Sequence, residues 1–195
     1  MKKIGIFLGT FDPIHYGHLA IALEAINHGM DKVVIYPSYD APHKDITASN
    51  QARLDMCRLA LKSYDNIELS SLLVDQSLGG YSMSVLEAIM KENPNDKLYY
   101  ILGSDIYKYI LTWPTIRQIT SYFDFLVMLR DPGDFNTCKA ISSKLSNKTI
   151  MMKGKINQIS SSQIKECFVM NQDTSELLPS EVYHYISKYS TYKKN

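Results

Sequence analysis

The chain of 195 residues is long enough for one well-buried α/β domain and short for two. Its 21 Lys and Arg residues against 20 Asp and Glu leave a net charge of +1, which argues against a nucleic-acid partner. The three cysteines form no CxxC pair, so a disulfide framework or structural zinc is disfavoured and a reducing compartment is favoured. Since no signal peptide and no apolar run of membrane length is found, we expect a cytoplasmic protein without a membrane partner.

The first unit of the chain is predicted to be a strand, a tight turn and a helix. Residues 3–8 form a short apolar run, as expected for a buried strand. Residues 9–13 break it, because Gly9 allows a tight backbone and Pro13 fixes φ and removes a donor. Apolar residues at helical spacing follow over 18–29. In an open α/β sheet such a turn lies at the carboxyl end of the strand, where ligands bind, and the helix N-terminus attracts anions.

Two histidines, His15 and His18, lie in this turn. Each imidazole can donate a hydrogen bond to a phosphate oxygen, and a protonated ring adds positive charge. The pair could also hold zinc or be purely structural. Zinc usually needs three or four protein ligands, and Asp12 and His28 have no obvious ligand spacing around the pair. Phosphate binding is therefore the favoured interpretation.

The rest of the chain alternates between predicted strands and helices. Further strands are predicted over 32–37, 67–70, 97–102, 123–129 and 149–152, and further helices over 48–63, 82–91, 139–145 and 179–188, with one more that the serines at 160–162 open and that runs through 169. This alternation predicts a single doubly wound, Rossmann-like α/β domain with a parallel sheet over residues 1–195, ending in a polar tail at about 190–195.

Polar and aromatic residues follow two of these segments. Asp105 comes just after the strand 97–102, where its carboxylate could accept from ribose hydroxyls or cap the next helix. Trp113, the single tryptophan, could be core or a stacking platform for a flat heterocycle, and we favour stacking. The serines at 160–162 open a helix, where hydroxyls both cap the helix and hydrogen-bond phosphate.

The stretch GTFDPIHYGH over residues 9–18 resembles the GxFDPxHxGH signature of the HxGH nucleotidyltransferases, most closely the nicotinate-nucleotide (or nicotinamide-nucleotide) adenylyltransferases. Similar stretches follow in the family's order: APHK at 41–44, the R-x-x-M pattern at 53–56, G-x-D with a later Trp at 103–113, RDPG at 130–133 where the family has R-x-G after a strand, and ISSSQIK at 159–165. The matches cover at least residues 3–188. No GxxxxGK[ST] loop is present, which excludes a P-loop NTPase.

The resemblance implies an activity and a set of site residues. The implied reaction moves AMP from ATP to nicotinate mononucleotide, with Mg²⁺ held through phosphates and water rather than by protein metal ligands. The implied catalytic groups are His15, His18, Lys44 and Lys165. The implied nucleotide-binding residues are Gly9, Thr10, Phe11, Gly103, Asp105, Ser160, Ser161 and Ser162. The implied binding residues for the pyridine mononucleotide are Tyr81, Ser82, Trp113 and Arg130. The R-x-x-M residues Arg53 and Met56 are interpreted as packing and surface charge.

Four residues depart from the family pattern. Leu8 replaces a glycine and would either crowd the phosphate turn or simply finish the strand. Gln76 and Val85 weaken the match around the pyridine substrate, and Lys165 replaces an arginine, which keeps the charge but loses the planar fork. We expect a moderate preference for the acid substrate. Two alternatives stay open: nicotinamide mononucleotide as the preferred substrate, and a catalytically weak nucleotide-binding or regulatory protein. A homo-oligomer is also left open.

Overall fold

One parallel sheet with helices on both faces makes up the computed structural model, which describes residues 1–41, 45–79, 82–154 and 159–192. The strands are β1 Lys3–Gly9, β2 Lys32–Pro37, β3 Ile67–Leu69, β4 Lys97–Gly103, β5 Phe123–Met128 and β6 Thr149–Met152. The helices are α1 Tyr16–Asn27, α2 Asn50–Leu61, α3 Leu72–Asp75, α4 Met83–Glu92, α5 Ser104–Tyr107, α6 Ile116–Tyr122, α7 Asp134–Ser142, α8 Ser161–Val169 and α9 Ser180–Tyr189, with a 3₁₀ turn at Ile110–Thr112.

The strand order places a ligand crevice between β1 and β4. The six strands run in the order β3-β2-β1-β4-β5-β6, and every pairing is parallel. This is the doubly wound order, so the predicted fold class is confirmed. From β1 the chain adds β2 and β3 on one side, and it then adds β4, β5 and β6 on the other side. The switch point of the topology therefore lies between β1 and β4, and open α/β sheets bind ligands there, beyond the carboxyl ends of the strands. Gly9 and Gly103 end these two strands.

The sheet separates two apolar cores, because side chains along a strand alternate between its faces. Along β1, Ile4, Ile6 and Leu8 enter the core that α3 to α7 cover. Phe7 enters the opposite core, which α1, α2, α8 and α9 cover. Leu8 lies inside β1 and is buried, and it also lines the cavity described below.

Several element boundaries differ from the predicted ones. Helix α1 begins at Tyr16 rather than residue 18, which puts His18 inside the first helical turn. Helix α7 begins five residues before the predicted start at Lys139. Ser49 caps α2, and its hydroxyl accepts from the backbone amide of Ala52 at 3.2 Å. Ser82 stands at the N-cap position of α4, but its hydroxyl pairs with that of Ser84 at 2.8 Å instead of capping the helix.

Two expectations about exposure are wrong. Arg53, interpreted as surface charge, is 0% exposed. Tyr192, expected in a polar tail, is 3% exposed and packs against the core that contains Phe168. Both residues approach the turn after β1, which makes them relevant to the site. Across the described ranges of the chain, no helix is both long enough and apolar enough to cross a membrane.

Candidate active site

A cavity of about 870 Å³ opens at the carboxyl ends of β1 and β4. The turn after β1, the start of α1 and the first turn of α8 form much of its wall. The structure brings together on that wall these predicted site residues: Gly9, Thr10, Phe11, His15, His18, Gly103, Arg130, Ser160, Ser161, Ser162 and Lys165. Asp105, Ser82 and Trp113 do not line it. Lys44 and Tyr81 lie outside the described residues.

The turn after β1 folds a phenylalanine back beneath the histidines. Phe11 has φ +49° and is buried, with its ring edge-on to Phe7 at 5.4 Å and to His18 at 4.9 Å between centroids. Such a backbone conformation is strained for a bulky residue and persists only where packing imposes it. A Cβ atom on Gly9 would lie 3.0 Å from the Phe11 ring, so a side chain at this position would press on the ring.

The two histidines form a stacked pair on the cavity wall. Their ring centroids are 3.8 Å apart with planes inclined by 28°, and the His15 amide donates to His18 Nδ1 at 3.3 Å. Because Nδ1 accepts, a neutral His18 ring carries its proton on Nε2. A Cβ on Gly17 would lie 2.9 Å from the His15 ring, so glycine between the histidines is what permits the stack.

Burial makes His15 a neutral ring at neutral pH. Burial, with a smaller contribution from the positive charge of Arg130, lowers the pKa of His15 to about 4. Within the described part of the chain, its buried Nδ1 has no hydrogen-bond partner. His15 can therefore donate or accept a hydrogen bond to a ligand, but it does not bring a fixed positive charge.

Lys165 supplies a positive charge on the cavity wall. Its ammonium contacts Asp12 Oδ2 at 3.2 Å, the Asp45 carbonyl at 2.7 Å and Thr47 Oγ1 at 3.3 Å. The residue comes from α8, and the ion pair with Asp12 is largely buried. A phosphate that binds Lys165 must therefore compete with or join a set of oxygen acceptors that already holds the ammonium.

The first turn of α8 is a capping box. The backbone amide of Gln163 donates to Ser160 Oγ at 3.2 Å, and the backbone amide of Ser160 donates to the Gln163 side chain at Oε1 at 3.1 Å. The Ser161 hydroxyl donates to the Pro13 carbonyl at 3.0 Å, which ties α8 to the turn after β1. Two of the three predicted serines thus have structural roles in addition to any contact with a nucleotide.

A buried network holds the end of β4 against the end of β5. The Arg130 amide donates to Ser104 Oγ at 2.9 Å, and Ser104 Oγ donates to Asp134 Oδ2 at 2.6 Å. Lys108 pairs with Asp134 on its other oxygen, and Lys108 and Ser104 lower the pKa of that carboxyl. Arg130 Nε in turn donates to Asp105 Oδ1 at 3.4 Å. Ser104 and Asp134 position Arg130, and sequence reasoning missed both.

Asp105 and Trp113 do not contribute to the cavity wall. Asp105 belongs to the first turn of α5, and Gly103 occupies the N-cap position, so the capping interpretation of Asp105 is wrong. The Trp113 ring is half-buried against the core of α3 to α7, with its centroid 6.3 Å from that of Tyr100. A stacking role for Trp113 stays a prediction.

Arg53 ties together the main chain that follows β1 and the main chain that follows β2. Its guanidinium donates to the carbonyls of Thr10 and Ser38, each at 2.6 Å, and to Asn50 Oδ1 at 2.6 Å. A buried charge is tolerated only when it is hydrogen-bonded, and one acceptor here, the Thr10 carbonyl, belongs to a residue of the cavity wall. The R-x-x-M match was the sequence signal for this residue, and the interpretation of its charge was wrong.

Asp12 is a further residue that sequence reasoning did not assign. Its buried carboxylate accepts from the amides of Thr47 at 2.8 Å and Ala48 at 3.2 Å as well as from Lys165. The residue stands within the signature at 9–18, so the signal was present. In the ranges that the structure describes, no group of three or more His, Cys, Asp or Glu side chains is placed to hold a metal ion.

Comparison with known proteins gives a consistent set of similarities. The cytidylyltransferase-like family model matches residues 6–167. A probable nicotinate-nucleotide adenylyltransferase of Clostridium tetani is 32% identical over 200 residues, covering 99% of this chain and 100% of that protein. The nicotinate-nucleotide adenylyltransferase of Bacillus subtilis is 29% identical, covering 99% and 100%.

A solved structure has the same fold. The Plasmodium falciparum nicotinic acid mononucleotide adenylyltransferase complexed with NaAD superposes with a TM-score of 0.81 at 23% identity, covering 98% of each chain. A second structure of that enzyme, complexed with APC, gives a TM-score of 0.78 at 22% identity, covering 98% of each chain. At these identities the likeness shows the fold alone.

Proposed function

We propose, from the premise that the chain belongs to the cytidylyltransferase-like family and within it to the nicotinate-nucleotide adenylyltransferases, that it moves AMP from ATP to nicotinate mononucleotide. The products are deamido-NAD and pyrophosphate, which places the protein in NAD biosynthesis. The similarity to these relatives confirms the family that the motif at 9–18 predicted, and the chain is an enzyme of that family.

The observation that carries the proposal is the convergence of donors at the β1–β4 crevice. The stacked histidines, the Lys165 ammonium and the N-terminus of α8 line the same cavity. The first amides of a helix lack intrahelical partners and attract phosphate. This is a site for an anion with several charged oxygens, as the polyphosphate of ATP is.

The chemistry of adenylyl transfer fits this set of groups. The nucleophile is a phosphate oxygen of the mononucleotide, already anionic, so no general base or covalent intermediate is required. Catalysis then consists of aligning the two phosphates and stabilising the charge that develops on the pentacoordinate phosphorus and the leaving pyrophosphate. Lys165 contributes charge, whereas the neutral His15 contributes a hydrogen bond.

The roles of individual residues follow from their contacts. We assign His15, His18 and Lys165 to the triphosphate, with the α8 amides and the Ser162 hydroxyl beside them. Ser160 and Ser161 are assigned mainly to shaping the helix start, because their hydroxyls bond to Gln163 and Pro13. Arg130, held by Ser104, is assigned to the mononucleotide side of the crevice.

Mg²⁺ belongs to the proposal as a companion of ATP. Among the described residues, the one buried carboxylate on the cavity wall is that of Asp12, which already accepts four hydrogen bonds, so these residues offer no protein cage for the ion. Bound through phosphate oxygens and water, Mg²⁺ would neutralise part of the phosphate charge.

Three further predictions remain part of the proposal. Lys44 keeps its catalytic role and Tyr81 its role in binding the mononucleotide. The protein is expected in the cytoplasm, and a homo-oligomer stays open.

The proposal is tested by turnover with each mononucleotide. Purified protein is incubated with ATP and Mg²⁺ and either nicotinate or nicotinamide mononucleotide, and kcat/KM is measured from pyrophosphate release. We expect a higher kcat/KM for the acid, with some activity on the amide. A higher kcat/KM for nicotinamide mononucleotide would show that the amide is the preferred substrate. ATP binding without pyrophosphate release would instead support the catalytically weak binding protein.

A further inference from the structure

We propose that Tyr192 is a positioning residue for adenylyl transfer, which acts by orienting the Asp12 carboxylate and, through Asp12, the Lys165 ammonium. The inference rests on the proposed function, since it assigns a task to the phosphate end of the same cavity. It concerns a residue 180 positions from Asp12 in the chain, which no motif in the sequence singled out.

The chain turns Tyr192 toward the site just after the last helix. Helix α9 ends at Tyr189, and Ser190 adopts a left-handed conformation with φ +50°. The Thr191 amide then donates back to the Ile186 carbonyl at 3.3 Å, which secures the turn. The Tyr192 ring packs against that of Phe168 in α8, with a centroid distance of 6.2 Å, and lines the cavity.

The Tyr192 hydroxyl completes a set of four donors around one buried carboxylate. It donates to Asp12 Oδ1 at 2.7 Å, and the Ala48 amide donates to the same oxygen at 3.2 Å. The other oxygen accepts from the Thr47 amide and from Lys165. Each carboxylate oxygen therefore has two donors, and the Tyr192 contact is the shortest of the four.

Tyr192 remains a donor under all working conditions. Burial and the neighbouring Asp12 carboxylate raise the pKa of the Tyr192 hydroxyl far above its ordinary value. The hydroxyl is thus a permanent O–H group whose natural acceptor is the carboxylate. Its geometry, rather than its titration, is what constrains Asp12.

Loss of this hydroxyl has a directional consequence. Asp12 Oδ1 would keep only the longer Ala48 contact, so the carboxylate would depend more on Lys165 and could rotate toward it. An ammonium drawn more strongly to Asp12 is less available to an incoming phosphate. We therefore expect ATP binding to weaken, while the mononucleotide, which does not bind Lys165 in this account, is unaffected.

The test compares Tyr192→Phe with the matched control Tyr185→Phe. Tyr185 also donates to a carboxylate, Asp55 Oδ2 at 3.5 Å, but from α9 and away from the cavity. For Tyr192→Phe we expect the KM for ATP to rise on the order of 10-fold and the KM for nicotinate mononucleotide to stay within about twofold. Tyr185→Phe should change neither. KM values do not depend on the fraction of protein that is folded, so a purely structural defect would not produce this split.

A double-mutant cycle identifies the route of the effect. In a Lys165→Ala background, Tyr192→Phe should change the calorimetric Kd for ATP by less than about twofold, because the ammonium on which it acts is gone. An equal loss of ATP affinity in both backgrounds, an equal rise in both KM values, or no change would overturn the inference. The Kd for ATP is measured without turnover, so the cycle can be completed even if the wild-type protein binds ATP and does not react. Such a protein would contradict the proposed function, and the cycle would still show whether Tyr192 acts on ATP binding through Lys165.

Discussion

The imidazole rings of His15 and His18 stack at a centroid distance of 3.8 Å on the wall of the candidate active site. Two protonated rings at this distance would repel each other, and burial already lowers the pKa of His15 to about 4. The pair can therefore present hydrogen bonds to phosphate at neutral pH without two positive charges that repel each other in the cavity wall. The arrangement has consequences for stability and for catalysis.

The lowered pKa of His15 predicts a loss of stability in mild acid. The unfolded chain takes up a proton on this residue near pH 6.5, whereas the folded chain takes it up near 4. The contribution of His15 is thus fully present above pH 6.5 and is lost as the pH falls toward 4, by on the order of 3 kcal/mol in total.

This pH dependence is measured by urea unfolding at several pH values. Compared with His15→Gln, which does not titrate, the wild type should lose more unfolding free energy between pH 7 and pH 4. Parallel curves for the two proteins would show that His15 is not held neutral by the fold. The difference between the curves isolates His15 from other groups that titrate in the same range.

His18→Ala should reduce kcat by about 100-fold or more, since loss of one preorganised donor to a charged transition state costs about 3 kcal/mol. The measurement is steady-state turnover alongside a thermal unfolding curve. His28→Ala is the matched control, because His28 stands at the other end of α1 and does not line the cavity. Wild-type turnover in a folded His18→Ala protein would favour the purely structural interpretation of the pair.

Gly17→Ala should reduce kcat/KM by roughly 10-fold or more through displacement of His15, because the added methyl would stand 2.9 Å from the imidazole. Gly154→Ala is its control, since a Cβ there meets Met128 at an ordinary 3.5 Å. Equal kinetics for the two variants would mean that the stack of the histidines does not matter to turnover.

Arg53→Lys should lower the free energy of unfolding by about 3 kcal/mol, because lysine replaces a fork that bonds several acceptors with a single ammonium. Arg58→Lys, on the exposed face of the same helix, should change it by less than about 0.5 kcal/mol. Urea unfolding of both variants checks this. Similar losses for the two would show that the buried contacts of Arg53 contribute little.

Local patterns were enough to predict much of the fold. The apolar run before Gly9 and the helical spacing after it are properties of neighbouring residues, and the structure has a strand, a turn and a helix there. Several residues to which the resemblance assigns a phosphate role, including His18 and Lys165, do line the cavity.

Contacts between distant parts of the chain were not predictable in this way. An arginine is usually exposed, so nothing local indicated that Arg53 would be buried beneath the turn. A tyrosine near residue 195 reads as part of a polar tail, and only the path of the chain after α9 brings Tyr192 to Asp12. Ser104 and Asp134 meet for the same reason, since parallel strands align their ends.

The central claim is the transfer of AMP, and the fate of the α-phosphate tests it most directly. Wild-type protein is incubated with ATP labelled at the α-phosphorus, Mg²⁺ and nicotinate mononucleotide, and the products are separated. If the protein transfers AMP, the label appears in deamido-NAD and the released pyrophosphate is unlabelled. Label that stays in ATP, or that appears in free AMP or ADP without a dinucleotide, would contradict it.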